Sequence, residues 1–211
     1  NPKQSADTYP WKEICGGMVA YKLIQVLFEE YGIDRQEWLD MLELAAIATV
    51  GDVMKLKDEN RIVVKEGLKK LANTKIQGLV SLMEKNTLDP EHISAYHVGF
   101  VLGPCLNASG RLKTAQMAME LLLAENKAQA DELADALKAL NDERKDMTKD
   151  GTDAAIEQVE TELKDDKVLV VFLPDCHESL AGIVAGRIRE YYNKPVFVLT
   201  RAEGCAKGSG R

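Results

Sequence analysis

The sequence predicts an α/β protein in three parts: a mostly helical stretch over residues 1–125, a long connecting helix over 126–163, and the start of an α/β domain over 164–211. Three observations predict it. The first half carries short apolar-periodic segments separated by polar stops, the pattern of consecutive helices. The stretch "NKAQADELADALKALNDERKDMTKDGTDAAIEQVETEL" has one narrow apolar stripe at Leu133, Leu137 and Leu140 and is otherwise charged or small, which suits a connector between domains. Beyond it, "KVLVVFL" and "KPVFVLT" are continuous buried-type strand runs on either side of a helical "SLAGIVAGRIREYYN". A strand–helix–strand unit implies a parallel pair joined by a right-handed crossover.

Along the first part, "CGGMVAYKLIQVLFEEYG" places Val19, Leu23, Val26 and Leu27 on one helical face, and Gly32 follows as a stop. "DRQEWLDMLELAAIATV" opens with Asp34 and Glu37 at capping-box spacing. "NRIVVKEGLKKLAN" takes Asn60 as its cap, and "IQGLVSLMEKN" follows. "HISAYHVGFVL" then leads into a polar elbow, broken at Gly103-Pro104 and running through Asn107, Ser109, Gly110 and Arg111, before the helix "TAQMAMELLLAE". In the connector, Gly151 marks a bend or a break.

Composition narrows the class. With 45% hydrophobic and 29% charged residues the chain is a soluble globular type, and its 211 residues allow one large domain or two modest ones. No apolar run approaches the roughly 20 residues that cross a bilayer. The start "NPKQSADTYPW" lacks a signal peptide's basic and apolar regions; it also lacks an initiator Met, so the chain reads as a piece of a longer one. Cys15, Cys105, Cys176 and Cys205 are scattered without a CxxC pair, as expected of reduced cytoplasmic thiols. The net charge of −7 is uneven: Lys+Arg against Asp+Glu is 13 to 15 over residues 1–112, 7 to 13 over 113–164 and 7 to 6 over 165–211. That distribution excludes a wholesale basic nucleic-acid surface and leaves room for a local phosphate site.

Four places could carry chemistry. Asp52, in "AAIATVGDVMKLKDENR", ends an apolar run, as either a capping carboxylate or a hard-metal ligand. In the elbow, Asn107, Ser109 and Arg111 either cap the next helix or form a phosphate site, small residues giving access to the backbone and Arg111 a charged fork. The terminal "AKGSGR" poses the same choice. Two glycines around Ser209 can form an anion-binding nest flanked by Lys207 and Arg211. His177 follows a strand end, where ligand-binding residues of α/β sheets concentrate, whereas His92 and His97 fall on a predicted helix and read as structural.

The ordered blocks "NPKQ…YPWKEICGGMVAYKL", "LAAIATVGDVMKLKDENRIVVKEGLKKL", "GPCLNASGRL", "LNDER", "HESLAGIVAGRI" and "GCAKGSGR" resemble the RecJ family of single-stranded-DNA-specific exonucleases, within the DHH phosphoesterase superfamily. The resemblance covers essentially the whole chain. It implies the C-terminal part of a DHH catalytic domain, a long connecting helix and the beginning of a DHH-associated substrate-binding domain, with an active site in the cleft between domains. It also implies two divalent metals, Mn²⁺ or Mg²⁺. Their ligands in the family come from an Asp-x-Asp motif, a further Asp, the Asp-His-His motif and the Asp of a segment like "ATVGDV". Only the last is present here, as Asp52, so the chain alone is expected to be inactive. The same matching implies phosphate contacts for Arg111, Ser209 and Arg211, with Asn107 and His177 near the same cleft. Two departures stand out: Cys105 replaces a common Arg before "LNA", and "DCHES" lacks the usual aromatic before the His and the Gly two after it. The implied activity is 5′-to-3′ hydrolysis of single-stranded DNA to mononucleotides, in DNA repair and recombination, with single-stranded DNA as partner and no membrane. Two other readings remain: a DHH-family phosphodiesterase of short oligonucleotides or cyclic dinucleotides, and a catalytically dead nucleic-acid-binding or interaction scaffold.

Overall fold

The computed structural model describes residues 1–112 and 114–211. They form two compact units, residues 1–107 with 116–138, and residues 108–115 with 139–211.

The first unit is helical. Helix α1 (Gly16–Glu30) is capped by Cys15, whose Sγ accepts from the Met18 N–H, and ends at Gly32 in the left-handed region. Its buried residues are Met18 and Tyr21; Val19, Leu23, Val26 and Leu27 do share a face, but that face is exposed. The predicted helix from Asp34 is two helices, α2 (Arg35–Leu39) and α3 (Leu42–Gly51). Asp34 caps α2 through the Gln36 N–H, and no capping box forms with Glu37. The break lets Trp38 stack on Tyr21, ring centroids 5.0 Å apart, while Asp40 reaches Lys70 at 2.5 Å. Helix α4 (Asp58–Leu71) starts two residues before its predicted cap: Asn60 is buried inside it and its amide donates to the carbonyls of Glu13 and Lys55. Helix α5 (Gln77–Lys85) follows.

The elbow is not an elbow. After α6 (Ala95–His97), a π-helical turn over Val98–Leu102 feeds directly into α7 (Gly103–Leu112). Gly103 has ordinary right-handed angles, and Pro104 is carried where the π-helical turn gives way to α7. Helix α8 (Gln116–Leu122) and the start of α9 (Lys127–Gln158) complete the unit. Leu71, Leu79, Leu82, Val98, Leu102 and Leu121 form its centre, joined by Ala134 and Leu137 of α9. Cys105, fully buried in that core, directs its thiol to Asn86 Oδ1.

Helix α9 buries more than its leucine stripe, of which Leu137 and Leu140 are buried and Leu133 only partly so. Ala130, Ala134, Leu137, Leu140, Asn141, Thr148 and Ala155 are all buried, a stripe running the length of the helix. The helix is unbroken at Gly151. A Cβ there would lie 3.3 Å from Val184 and 3.7 Å from Cys176 Sγ, so this glycine admits a close neighbour. A π-helical turn, Val159–Leu163, ends the segment.

In the second unit, β1 (Leu169–Phe172), α10 (Ala181–Tyr192), β2 (Val196–Ala202) and β3 (Cys205–Gly210) build a sheet of order β1-β2-β3. β1 and β2 are parallel, Leu169 opposite Val196, as the crossover pattern requires. The strands are not buried on both faces as their apolar runs imply. Leu169, Val171, Val196 and Val198 pack against Ala181, Val184, Ala185 and Ile188 of α10 and Ala155 and Val159. Val170, Phe172 and Phe197 face outward and stay exposed. "CAKGSG" is an antiparallel strand, not a nest: Ser209 pairs with Val198 and Gly208 with Leu199. A nest needs alternating helical angles, and β3 is extended. A Cβ at Gly208 would lie 2.1 Å from the Val198 carbonyl oxygen, so only glycine fits there.

Candidate nucleic-acid interface

The second unit gathers its polar groups where β1 gives way to α10. The loop 173–180 lies beyond the C-terminal end of a parallel strand, the usual ligand side of such sheets. The Leu180 N–H donates to the His177 carbonyl at 2.9 Å, and the first turn of α10 closes on the Leu180 carbonyl. Arg111 reaches this loop from residues 108–115, its Nη1 donating to the Ser179 carbonyl at 3.3 Å. Arg211 arrives from the sheet. Its backbone exchanges two hydrogen bonds with Val196, and its Nη1 donates to Ser209 Oγ at 2.8 Å and to the Gly210 carbonyl.

Arg211 meets the helix at Gly182. A Cβ on Gly182 would lie 2.7 Å from Arg211 Nη2 and 3.1 Å from Ser209 Oγ, so the missing side chain makes room for guanidinium and hydroxyl against the start of α10. Arg111 and Arg211 therefore lie against residues 179 and 182 of one short segment, although 100 positions separate them in sequence. Among the described residues neither guanidinium makes an ion pair, whereas Lys207 pairs with Glu178 at 2.9 Å. That hydrogen bond raises the Lys207 ammonium and holds the Glu178 carboxyl low. The uncompensated charge at the segment is thus carried by forked guanidinium groups, which suit phosphate oxygens.

His177 is half-buried and lines a cavity of about 320 Å³ with Cys176, Gly151, Asp150 and Asp175. Burial pushes the Cys176 thiol up, so it stays protonated. Ser109, fully buried in α7, has a hydroxyl with no partner among the described residues. Asn107 is exposed on α7 four residues before Arg111, which puts both on one face of that helix. His97, read as structural, caps α6 by accepting from the Ser94 N–H. Ser179 and Gly182 escaped the sequence reading; a glycine in the first turn of a helix was the available signal for the latter.

Asp52 belongs to the first unit. It caps the C-terminus of α3, its N–H donating to the Ala48 carbonyl, and its exposed carboxylate lines an open pocket of about 640 Å³ with Lys3, Cys15, Gly16 and Met54. The next residue, Val53, has φ +53°, a conformation that β-branched side chains resist. Among the described residues no group of three or more His, Cys, Asp or Glu side chains is placed to hold a metal ion. A hard cation takes about six oxygen ligands, so a single carboxylate does not make a two-metal site. No helix of the described residues is long and apolar enough to cross a membrane.

In the second unit, two guanidinium groups without carboxylate partners among the described residues have chemistry suited to phosphate oxygens. The chain is homologous, over its whole length, to the RecJ single-stranded-DNA-specific exonucleases. It is 38% identical over 213 residues to RecJ of Bacillus subtilis and 34% identical over 226 residues to RecJ of Escherichia coli, matched in each case along 100% of this chain. Those alignments span 26% and 39% of the relatives, so the chain corresponds to less than half of either protein. RecJ from Thermus thermophilus, solved in complex with Mg²⁺ and with Mn²⁺, superposes with a TM-score of 0.80 at 32% identity over 92% of this chain, which spans 30% and 28% of those two solved chains. A further structure, exonuclease RecJ bound to manganese, gives the same score and is matched over 48% of its length. No protein-family model matches the chain. The mixed helix-and-sheet fold is that of these RecJ structures.

Proposed function

We propose that this chain is the phosphate-gripping part of a metal-dependent exonuclease that hydrolyses single-stranded DNA to mononucleotides from a 5′ end, in DNA repair and recombination. The observation that supports the reading best is the convergence of Arg111 and Arg211 on residues 179–182, free of carboxylate partners among the described residues. Ser209 orients Arg211, and Arg111 and Arg211 hold successive phosphates in register, which is positioning and not bond breaking. His177 adds a polar contact beside them, and Asn107 is carried as a further substrate contact. In this reading residues 1–125, 126–163 and 164–211 serve as catalytic, connecting and substrate-binding segments, although 108–115 packs within the second unit. Mn²⁺ or Mg²⁺ is the cofactor, with Asp52 as one ligand. Its remaining ligands lie outside the residues of this chain, so the chain alone releases no nucleotides from labelled single-stranded DNA in Mn²⁺.

Replacing Arg111 or Arg211 by Ala tests the grip. Each is expected to weaken single-stranded DNA binding by roughly 1–3 kcal/mol, independently of base sequence. Each should also lower the salt slope of log K by about 0.7, the counterion released per phosphate on a single strand. Binding and salt slope unaltered in a folded Arg111→Ala protein would assign that arginine to bracing the Ser179 loop and nothing more.

A further inference from the structure

We propose that the Ser179 hydroxyl is a positioning group: it holds His177 in the neutral tautomer whose Nε2–H is left to donate to a phosphate oxygen of the single strand. The proposal deepens the functional reading above and rests on it for the identity of the ligand. The Ser179 N–H points to His177 Nδ1 at 3.3 Å. A backbone N–H can only donate, so it favours a lone pair on Nδ1, but at 3.3 Å this contact is too long to hold the tautomer by itself. Ser179 Oγ lies 2.7 Å from the same nitrogen, and its rotatable O–H satisfies that lone pair as well. A neutral imidazole with both of these donors on Nδ1 carries its proton on Nε2.

That second nitrogen is unspent. Among the described residues Nε2 has no partner, and the Asp150 and Asp175 carboxylates, which line the same cavity, make no hydrogen bond to the ring. The backbone that carries the ring is fixed too, since the His177 carbonyl accepts from the Leu180 N–H. Ser179 meanwhile gives its carbonyl to Arg111 Nη1. One residue therefore sets the proton on the imidazole and anchors the guanidinium at the same loop. If the proton moved to Nδ1, Nε2 would present a lone pair and repel a phosphate oxygen.

Imidazole ¹⁵N chemical shifts of the 211-residue chain read the tautomer, and a 5′-phosphorylated oligothymidylate in the same buffer reads binding. The wild-type protein and Ser179→Thr, which keeps the hydroxyl, should show a protonated Nε2 and an unprotonated Nδ1. Ser179→Ala keeps the backbone N–H and the carbonyl to Arg111 and removes only the hydroxyl. With only the long 3.3 Å backbone contact left on Nδ1, it should let the proton spread over both nitrogens and raise the dissociation constant about three- to tenfold, the worth of a single hydrogen bond. Wild-type nitrogen shifts in Ser179→Ala, or an affinity loss that Ser179→Thr fails to restore, would overturn the proposal. If no protein binds the oligonucleotide yet the proton still redistributes in Ser179→Ala, the positioning role of Ser179 stands and the DNA reading falls.

Discussion

The loop before α10 and the end of α3 present their polar groups in opposite ways. In the loop, each group braces another: Ser179 holds His177 and Arg111, Ser209 holds Arg211, and Glu178 holds Lys207. Among the described residues the Asp52 carboxylate has no such company. It sits on a helix end followed by a valine in the left-handed region, and α3 also buries Glu43 with one carboxylate oxygen lacking a partner. The polar groups of the loop are held in place by the chain's own residues, whereas the carboxylate is displayed from a helix end followed by a strained residue. Preorganisation lowers the ordering cost of gripping a ligand. Strain near a functional position persists only where surrounding structure sustains it.

The largest effect should come from attacking the strand that preorganises the loop. Gly208→Ala places a Cβ 2.1 Å from the Val198 carbonyl oxygen and 2.9 Å from Leu199 Cα, backbone atoms that cannot swing aside. β3 must shift, and Ser209 and Arg211 with it. Denaturant unfolding should show the second unit weakened by roughly 2–3 kcal/mol, with single-stranded DNA affinity falling in parallel. NMR signals of α3 and α4 should stay in place. A variant of full stability and affinity would break the claim that strand register holds the arginine cradle.

How much of this was legible follows from particular residues. "KVLVVFL" and "KPVFVLT" announced β1 and β2 because β-branched runs flanked by a helical period have few other readings. "CAKGSG" hid β3, since its glycines are there to let Val198 and Phe197 approach and carry no strand propensity of their own. Periodicity found the apolar face of α1 but could not say which way it pointed. Gly103-Pro104 looked like a break because a proline inside a helix usually is one, and its place in the first turn is a property of the π-helical entry. Among the site residues, Arg111, Ser209 and Arg211 were named through ordered sequence blocks. Their common meeting point was not, because Ser179 supplies it with a carbonyl and Gly182 with an absent side chain.

A smaller effect probes the other side of the comparison. Glu43 is buried, among the described residues its carboxylate is bonded only by Thr74 Oγ1, and burial raises its carboxyl above the usual range. Above the unfolded chain's carboxylate range and up to that raised value, the native state keeps a proton the unfolded chain has released. Stability contributed by the protonated form is therefore lost as pH rises through this window. Glu43→Gln removes the titration. It should stabilise the first unit near neutral pH by about 1 kcal/mol, and the gain should vanish below about pH 4, where both unfolded and native carboxyls are protonated. Thermal unfolding at several pH values reads the difference, and a pH-independent gain would show that charge is not what the first turn of α3 pays for in burying Glu43.

The smallest effect tests the strain beside Asp52 itself. The Val53 N–H bonds the Val50 carbonyl and the Met54 N–H reaches back to the Thr49 carbonyl, so the chain closes α3 as a left-handed C-terminal cap, where glycine is the ordinary occupant. Val53 gains little packing there, being 87% exposed at φ +53°. A left-handed angle costs an L-residue about 1–2 kcal/mol, and glycine's extra unfolded-state freedom offsets roughly 0.5–1 kcal/mol of any relief. Val53→Gly should accordingly stabilise the first unit by about 0.5–1 kcal/mol, leaving DNA affinity of the chain unaltered because the arginine cradle lies in the other unit. Loss of stability in Val53→Gly would mean the valine side chain is held by contacts that outweigh its backbone. The carboxylate would then sit on a helix end as settled as the loop before α10, and the contrast between the two regions would dissolve.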